Sequence, residues 1–176
     1  MLSKLNEELN MNKVVLFLII SFLSIYAYSG EQLVKQARDV GIKSCLSTIS
    51  DLENFFTKGK NYGSWSLWAS ENANDQIFNS TLEITFSDGA QLIDLTVAPT
   101  KDGQCSYTYT RTLYSDKSCM GFSKSDMKEA KYKMEVNKFI TAFDDGSAKW
   151  LLTNAGDGCM VQKKEVGIRH KEQDIS

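Results

Sequence analysis

Three stretches of this chain alternate apolar and polar residues with a period of two, and that alternation narrows the fold more than any other feature. Leu82, Ile84 and Phe86 are interleaved with Glu83 and Thr85, and Ser87-Asp88-Gly89 is a turn signal. Ile93, Leu95 and Val97 alternate with Asp94 and Thr96 until Pro99 ends the run and Lys101-Asp102-Gly103 turns the chain. Cys105, Tyr107, Tyr109, Arg111 and Leu113 then alternate with Ser106, Thr108, Thr110 and Thr112. Side chains that change face at every residue mark a strand, and aromatic and β-branched residues suit a pleated surface. Strand character resumes over 132–143, around Met134, Val136, Phe139 and Ile140. Asp144-Asp145-Gly146 reads as a hairpin turn, Lys149-Trp150-Leu151-Leu152 follows, and a turn at 154–158 leads into a last strand over 159–166. Connections this short imply antiparallel pairing.

One segment keeps a different period. Leu33, Ala37, Val40, Cys45, Ile49, Leu52 and Phe56 recur at steps of three to five residues, which predicts one long amphipathic helix ahead of the strands. Ser29 and Gln32 have the spacing of a capping box, and Lys58-Gly59 is a C-terminal stop. Gly41 inside that helix costs roughly 1 kcal/mol relative to Ala. A polar, Pro-free stretch over 118–131, with Met127, Glu129 and Ala130, predicts a second, short helix. Between 59 and 76 no period survives, so the stretch reads as a long loop carrying Tyr62, Trp65 and Trp68. The expected fold is α+β, a long N-terminal helix packed on a five- or six-stranded antiparallel sheet, with no internal repeat.

The N-terminus points to export. Lys13 precedes a nearly unbroken apolar run over 14–25, and Ala27 and Ser29 supply small residues at −3 and −1 of a cleavage site. That is the pattern of a signal peptide over residues 1–29. At about 12 residues the run is short of the ~20 that a membrane anchor needs. Glu7 and Glu8 are out of place in a signal peptide, whereas Met11-Asn12-Lys13 is a conventional start, so Met11 is the expected initiator. The expected organisation is a single domain over 30–166 followed by a charged tail over 167–176.

Cys45, Cys105, Cys119 and Cys159 all follow the cleavage site, and an even count in an exported chain reads as two disulfides. They are too scattered for a zinc site. Geometry ranks the pairings. A strand over 105–113 is about 27 Å long at ~3.4 Å per residue. Six further residues reach only about 21 Å, too short to bring Cys119 back beside Cys105. The first choice is therefore Cys45–Cys105 with Cys119–Cys159.

Chemistry is read largely by exclusion. The chain carries 20 basic and 22 acidic residues, a net charge of −2, unlike a dedicated nucleic-acid binder. Its single histidine, His170, lies in the charged tail, a poor place for a rigidly held catalytic base. No phosphate-loop, dinucleotide, zinc-protease or nucleophile-elbow motif occurs. Glu71, Asp75, Glu83, Asp94, Asp144 and Asp145 are the carboxylates from which a hydrolase would have to draw a catalytic pair. Asp144, Asp145 and Asp157 read instead as turn residues. Asn79-Ser80-Thr81 matches a glycosylation sequon. Neither a metal nor a cofactor is called for.

What remains is surface. Trp65 and Trp68 either fold back over the core as a lid or form a recognition loop, Trp65 being the more buried and Trp68 the more exposed. Tyr107, Tyr109 and Arg111 share one face of a strand; turned outward they form an aromatic, cationic binding patch, and turned inward they leave a solvated Ser/Thr row outside. The candidate binding residues are thus Tyr62, Trp65, Trp68, Tyr107, Tyr109 and Arg111. The function expected is that of a non-catalytic, periplasmic or secreted protein-binding domain. One concrete form is an inhibitor or immunity-type protein against an envelope-acting enzyme or toxin. The alternatives are an assembly module of a cell-envelope machine, a carbohydrate-binding domain, and a small carboxylate-pair hydrolase.

Overall fold

The computed structural model describes residues 31–87 and 89–169. The signal-peptide segment, the proposed start at Met11 and the tail from His170 onward lie outside the described residues. Two helices open the described part, α1 (Gln32–Asp39) and α2 (Leu46–Thr57). Four strands follow, β1 (Tyr62–Trp68), β2 (Phe78–Phe86), β3 (Gly89–Pro99) and β4 (Cys105–Ser115). A third helix, α3 (Cys119–Asp126), leads into β5 (Lys131–Glu135), β6 (Ile140–Asp144), β7 (Lys149–Ala155) and β8 (Gly158–Arg169). All eight strands form one antiparallel sheet in the order β1-β2-β3-β4-β8-β7-β6-β5.

This corrects the expected fold in two ways: the sheet has eight strands, and there is no long N-terminal helix. Gly41 is the reason for the second. It adopts a left-handed φ of 92°, its N–H bonds the Arg38 carbonyl and the Ile42 N–H bonds the Ala37 carbonyl, both at 3.0 Å. Those two bonds form a Schellman stop, for which glycine is the favoured residue. Leu33, Val34 and Ala37 of α1 and Ile49 and Leu52 of α2 are all buried, so two short helices reproduce the apolar stripe of one long one.

The extra strands come from two places. Residues 59–76 are not simply a loop, because 62–68 form β1, in unbroken register with β2. The 132–143 region is two strands, β5 and β6, with bends between them. The last strand also runs past 166 to Arg169. The hairpin turn at Asp144–Gly146 and the short helix near 118–131 are where the sequence placed them.

Register places Leu82, Ile93, Tyr109, Leu113, Val161 and Leu152 on one face of the sheet. Helices α1 and α2 cover the β1–β4 end of that face, and α3 covers part of the β7–β8 end. Two apolar clusters result, one built on Leu33, Ile49, Phe78, Leu82 and Leu95, the other on Phe122, Met127, Leu152 and Val161. The opposite face carries no helix among the described residues.

The strand order reads the same from either end, and this exposes an internal repeat that the sequence reading denied. Each half is a helical segment followed by a four-strand meander, and the two fourth strands pair at the centre. Lys43-Ser44-Cys45 precedes α2, and Lys117-Ser118-Cys119 leads into α3. Phe86-Ser87-Asp88-Gly89 spans the β2–β3 connection as Phe143-Asp144-Asp145-Gly146 spans the β6–β7 one. Leu95 and Leu152 are buried at matching places on the third strands.

The disulfides obey the same symmetry. Cys45–Cys105 (Cα–Cα 5.8 Å) and Cys119–Cys159 (4.9 Å) each tie a helix start to the beginning of a fourth strand. This is the pairing preferred from the sequence. Loop entropy makes the two bridges nearly equivalent, because sequence separations of 60 and 40 enter only as a logarithm. Replacing either pair by alanine should cost about 4 kcal/mol. Urea unfolding of the two double variants should give values within about 0.5 kcal/mol of each other on that logarithmic dependence.

Candidate functional site

The two outer strands of this symmetric sheet differ in chemistry. β5, with sequence KYKME, carries three charges and a bulge between Tyr132 and Met134. Charges and bulges are the usual devices that keep a free edge from pairing with another chain. β1, with sequence YGSWSLW, has no charge, no proline and no bulge. Among the described residues no strand pairs with its outer edge.

β1 is also built inside out. Tyr62, Ser64, Ser66 and Trp68 lie on the helix-covered face, opposite Ile84, Leu82, Ser80 and Phe78, while Trp65 and Leu67 point to the open face. Of the inward serines, Ser66 is held by polar partners: its Oγ donates to Gln36 Oε1 at 2.5 Å and bonds Ser80 Oγ at 3.0 Å. Trp65 is 76% exposed and Trp68 47%. Both figures overturn the lid reading, and the expected order, Trp65 the more buried, is reversed. The physical reason is parity: Trp65 points away from the helices, and Trp68 points toward them at the strand's end.

Beside β1 lies a groove of ≈ 330 Å³, walled by Gln36, Asp39 and Val40 of α1 and by Ser64, Ser66, Trp65 and Trp68. Its geometry rests on a buried carboxylate. Glu53 of α2 is 1% exposed and accepts the Leu33 and Val34 N–H groups at 3.0 Å each. The α1 N-cap position, Glu31, makes no side-chain cap, so Glu53 caps α1 from a different helix and meets the positive end of its dipole. The Tyr62 hydroxyl donates to the same carboxylate and accepts the Gln32 N–H. One carboxylate thereby fixes α1, α2 and β1 together. Tyr62, counted among the candidate binding residues, is buried and belongs to this anchor rather than to a surface.

The other predicted patch faces inward. Tyr109 is 5% exposed and packs edge-on against Phe56 at 4.7 Å. Tyr107 is half-buried over Gly167, where a Cβ would sit 2.5 Å from the tyrosine hydroxyl. Arg111 Nε donates to Gln91 at 2.6 Å. Tyr107 and Tyr109 line a second groove of ≈ 280 Å³ with Asp51, Phe55, Glu165 and Arg169. The structure therefore does not bring the two sequence-predicted patches together. Gln36, Asp39 and Leu67 carry no period or motif that marks them, and Val40 reads only as part of the helical apolar stripe.

Three of the candidate carboxylates, Asp94, Asp144 and Asp145, have structural partners. Asp145 accepts the Ala148 N–H at 2.6 Å and the Trp150 indole N–H at 2.9 Å, and these bonds, the indole's first, draw its pKa down to about 2. Asp144 is ion-paired to Lys149 at 2.6 Å. Asp94 accepts from Asn79 and Thr81. Among the described residues no three His, Cys, Asp or Glu side chains converge on a point that would hold a metal, and no helix is long and apolar enough to cross a membrane. The two disulfides fit an oxidising compartment. Comparison with family models, characterised proteins and solved structures finds no match.

Burial first, and then the bond to Glu53, push the Tyr62 hydroxyl's pKa above its ordinary 10.0. Burial and the bond to Glu165 do the same to Tyr109. A folded-state pKa above the unfolded one contributes stability that is complete below the unfolded value and is lost as pH rises past it. Stability should therefore fall as pH rises above about 10. In alkaline urea titrations the double variant Tyr62→Phe, Tyr109→Phe should lose stability less steeply than the native chain.

Proposed function

We propose that this chain is a non-catalytic, periplasmic or secreted protein-binding domain that takes its partner along β1. The observation that supports the reading is the contrast between the two edges of one repeated architecture. The β5 edge is defended against strand addition, whereas the equivalent β1 edge is uncharged and flanked by exposed indoles. An exposed edge of this kind is a template for an extended segment of another chain, with main-chain bonds supplying affinity and alternate side chains supplying specificity.

Magnitudes favour a partner of protein size. An indole buries about 150–250 Å². At about 25 cal/mol per Å² that is an upper limit of roughly 4–6 kcal/mol for a fully exposed ring, reduced here in proportion to the 76% and 47% exposure of Trp65 and Trp68. Association costs about 4–15 kcal/mol, so two indoles bring a partner to the threshold and the edge hydrogen bonds carry it over. A rigid, disulfide-tied sheet that loses little entropy on binding suits an inhibitor or immunity-type role against an envelope-acting enzyme or toxin.

Because both rings are exposed, Trp65→Ala and Trp68→Ala should each change unfolding free energy by less than about 0.5 kcal/mol, the usual range for surface sites. Each should weaken partner binding by about 2 kcal/mol or more, the hot-spot scale. The immobilised chain and its two variants are to be compared for retention of proteins from the exported fraction, with Kd measured for any protein retained in stoichiometric amount. A partner held equally by the native chain and both variants overturns the reading. So does a large stability loss in either variant.

A further inference from the structure

The groove beside β1 is not neutral. Among the described residues that line it, Asp39 of α1 alone is charged, and Trp68 is the indole of β1 that points to the helix side. One Asp39 oxygen takes an exposed, i,i+4 ion pair from Lys35, a contact worth little in solvent and easily exchanged. The other takes no hydrogen bond among the described residues. Ser64 Oγ, in the lining, is shut off from solvent and makes no hydrogen bond there either. Closed off in this way, that hydroxyl is not within reach of a group in the groove.

The Trp68 indole on the helix side of β1 and the Asp39 carboxylate are a receptor for an apolar stem with a cationic head. A guanidinium stacks on indoles and donates in a fork to a carboxylate. On the reading that β1 accepts an added strand, we propose that the partner segment is an extended strand carrying an arginine whose side chain enters the α1–β1 groove. The guanidinium pairs with Asp39 while the flanking backbone adds to the β1 edge. Every second residue of a docked strand points to the same side, so one arginine suffices to set the register.

The test uses the full chain and three capped nine-residue peptides of alternating Thr and Ser. They differ only at the central position, which is Arg, norleucine or Glu. Binding is followed by titration calorimetry and by amide exchange along β1. The Arg peptide is expected to bind about tenfold or more tightly than norleucine, the scale of a charge-assisted hydrogen bond, and the Glu peptide more weakly than either. All bound peptides should slow exchange in β1. Asp39→Asn should reduce the Arg peptide to the norleucine level, and Asp39→Lys should reverse the order of Arg and Glu.

If the three peptides bind alike and protect β1, strand addition stands and the arginine pocket is overturned. If the peptides bind without protecting β1, or none binds at millimolar concentration, strand addition itself is overturned. Protection of the β1 edge in the free chain that grows with protein concentration assigns the edge to a second copy. Protection independent of concentration assigns it to the chain's own segment before Glu31. Both of these overturn the proposal.

Discussion

The ladder between β4 and β8 is the constraint on which this molecule depends. It runs from Cys105 opposite Arg169 to Ser115 opposite Cys159, and it joins two meanders that otherwise form separate four-stranded sheets with separate apolar clusters. The ladder is specific in its side chains as well as its backbone. Tyr107 lies over Gly167 and Tyr114 over Gly158, and at both glycines a Cβ would come within 2.5 Å of the tyrosine hydroxyl. A tyrosine over a cross-strand glycine fixes register, because a slip by one residue would place a side chain where the ring must lie. Tyr109 and Glu165 face each other directly across the seam and are hydrogen-bonded. Asp51 of α2 reaches Arg169 of β8, so the first helical layer is also pinned to the second half.

A sheet made of two like halves has two like edges unless something breaks the symmetry. Here the break is chemical. The second half spends its first strand on charge and a bulge, and it carries one eight-residue helix. The first half has two helices and a first strand of small polar and indole residues. Among the described α-helices α1 has no counterpart in the second half, and α1 is the element that walls the groove beside β1. The additional helix and the undefended edge thus lie side by side.

Much of this was legible in the residues and some was not. The antiparallel sheet followed from the alternation at 82–86, 93–97 and 105–113, and the disulfide pairing followed from how far a chain can reach between Leu113 and Cys119. The repeat was legible too but passed over: Lys-Ser-Cys at 43 and 117, and Phe-x-Asp-Gly at 86 and 143, recur in the same order. β1 was a different case. Its inward positions hold serines and its outward positions hold tryptophan and leucine, so the pattern that normally separates core from solvent is inverted. The helix break at Gly41 was hidden because α1 and α2 bury residues in phase with a single continuous stripe. The Glu53 cap spans 20 residues to Leu33, and no local motif signals a cap donated from another helix.

That cap is also what makes the groove a fixed feature of the protein. An unpaired buried carboxylate would be untenable, and Glu53 is tolerable only because two helix N–H groups and a tyrosine hydroxyl converge on it. Moving α1 away from β1 would strip those donors from a charge that has no access to water. The walls of the groove, Asp39 of α1 on one side and β1 with Trp68 on the other, are therefore held in place by the buried Glu53 contacts. The Cys45–Cys105 bridge adds a second restraint, anchoring the start of α2 to the central strand. A site whose walls are positioned by buried neighbours loses little freedom when it is filled, and that saving matters most for an extended segment that must itself be ordered on docking.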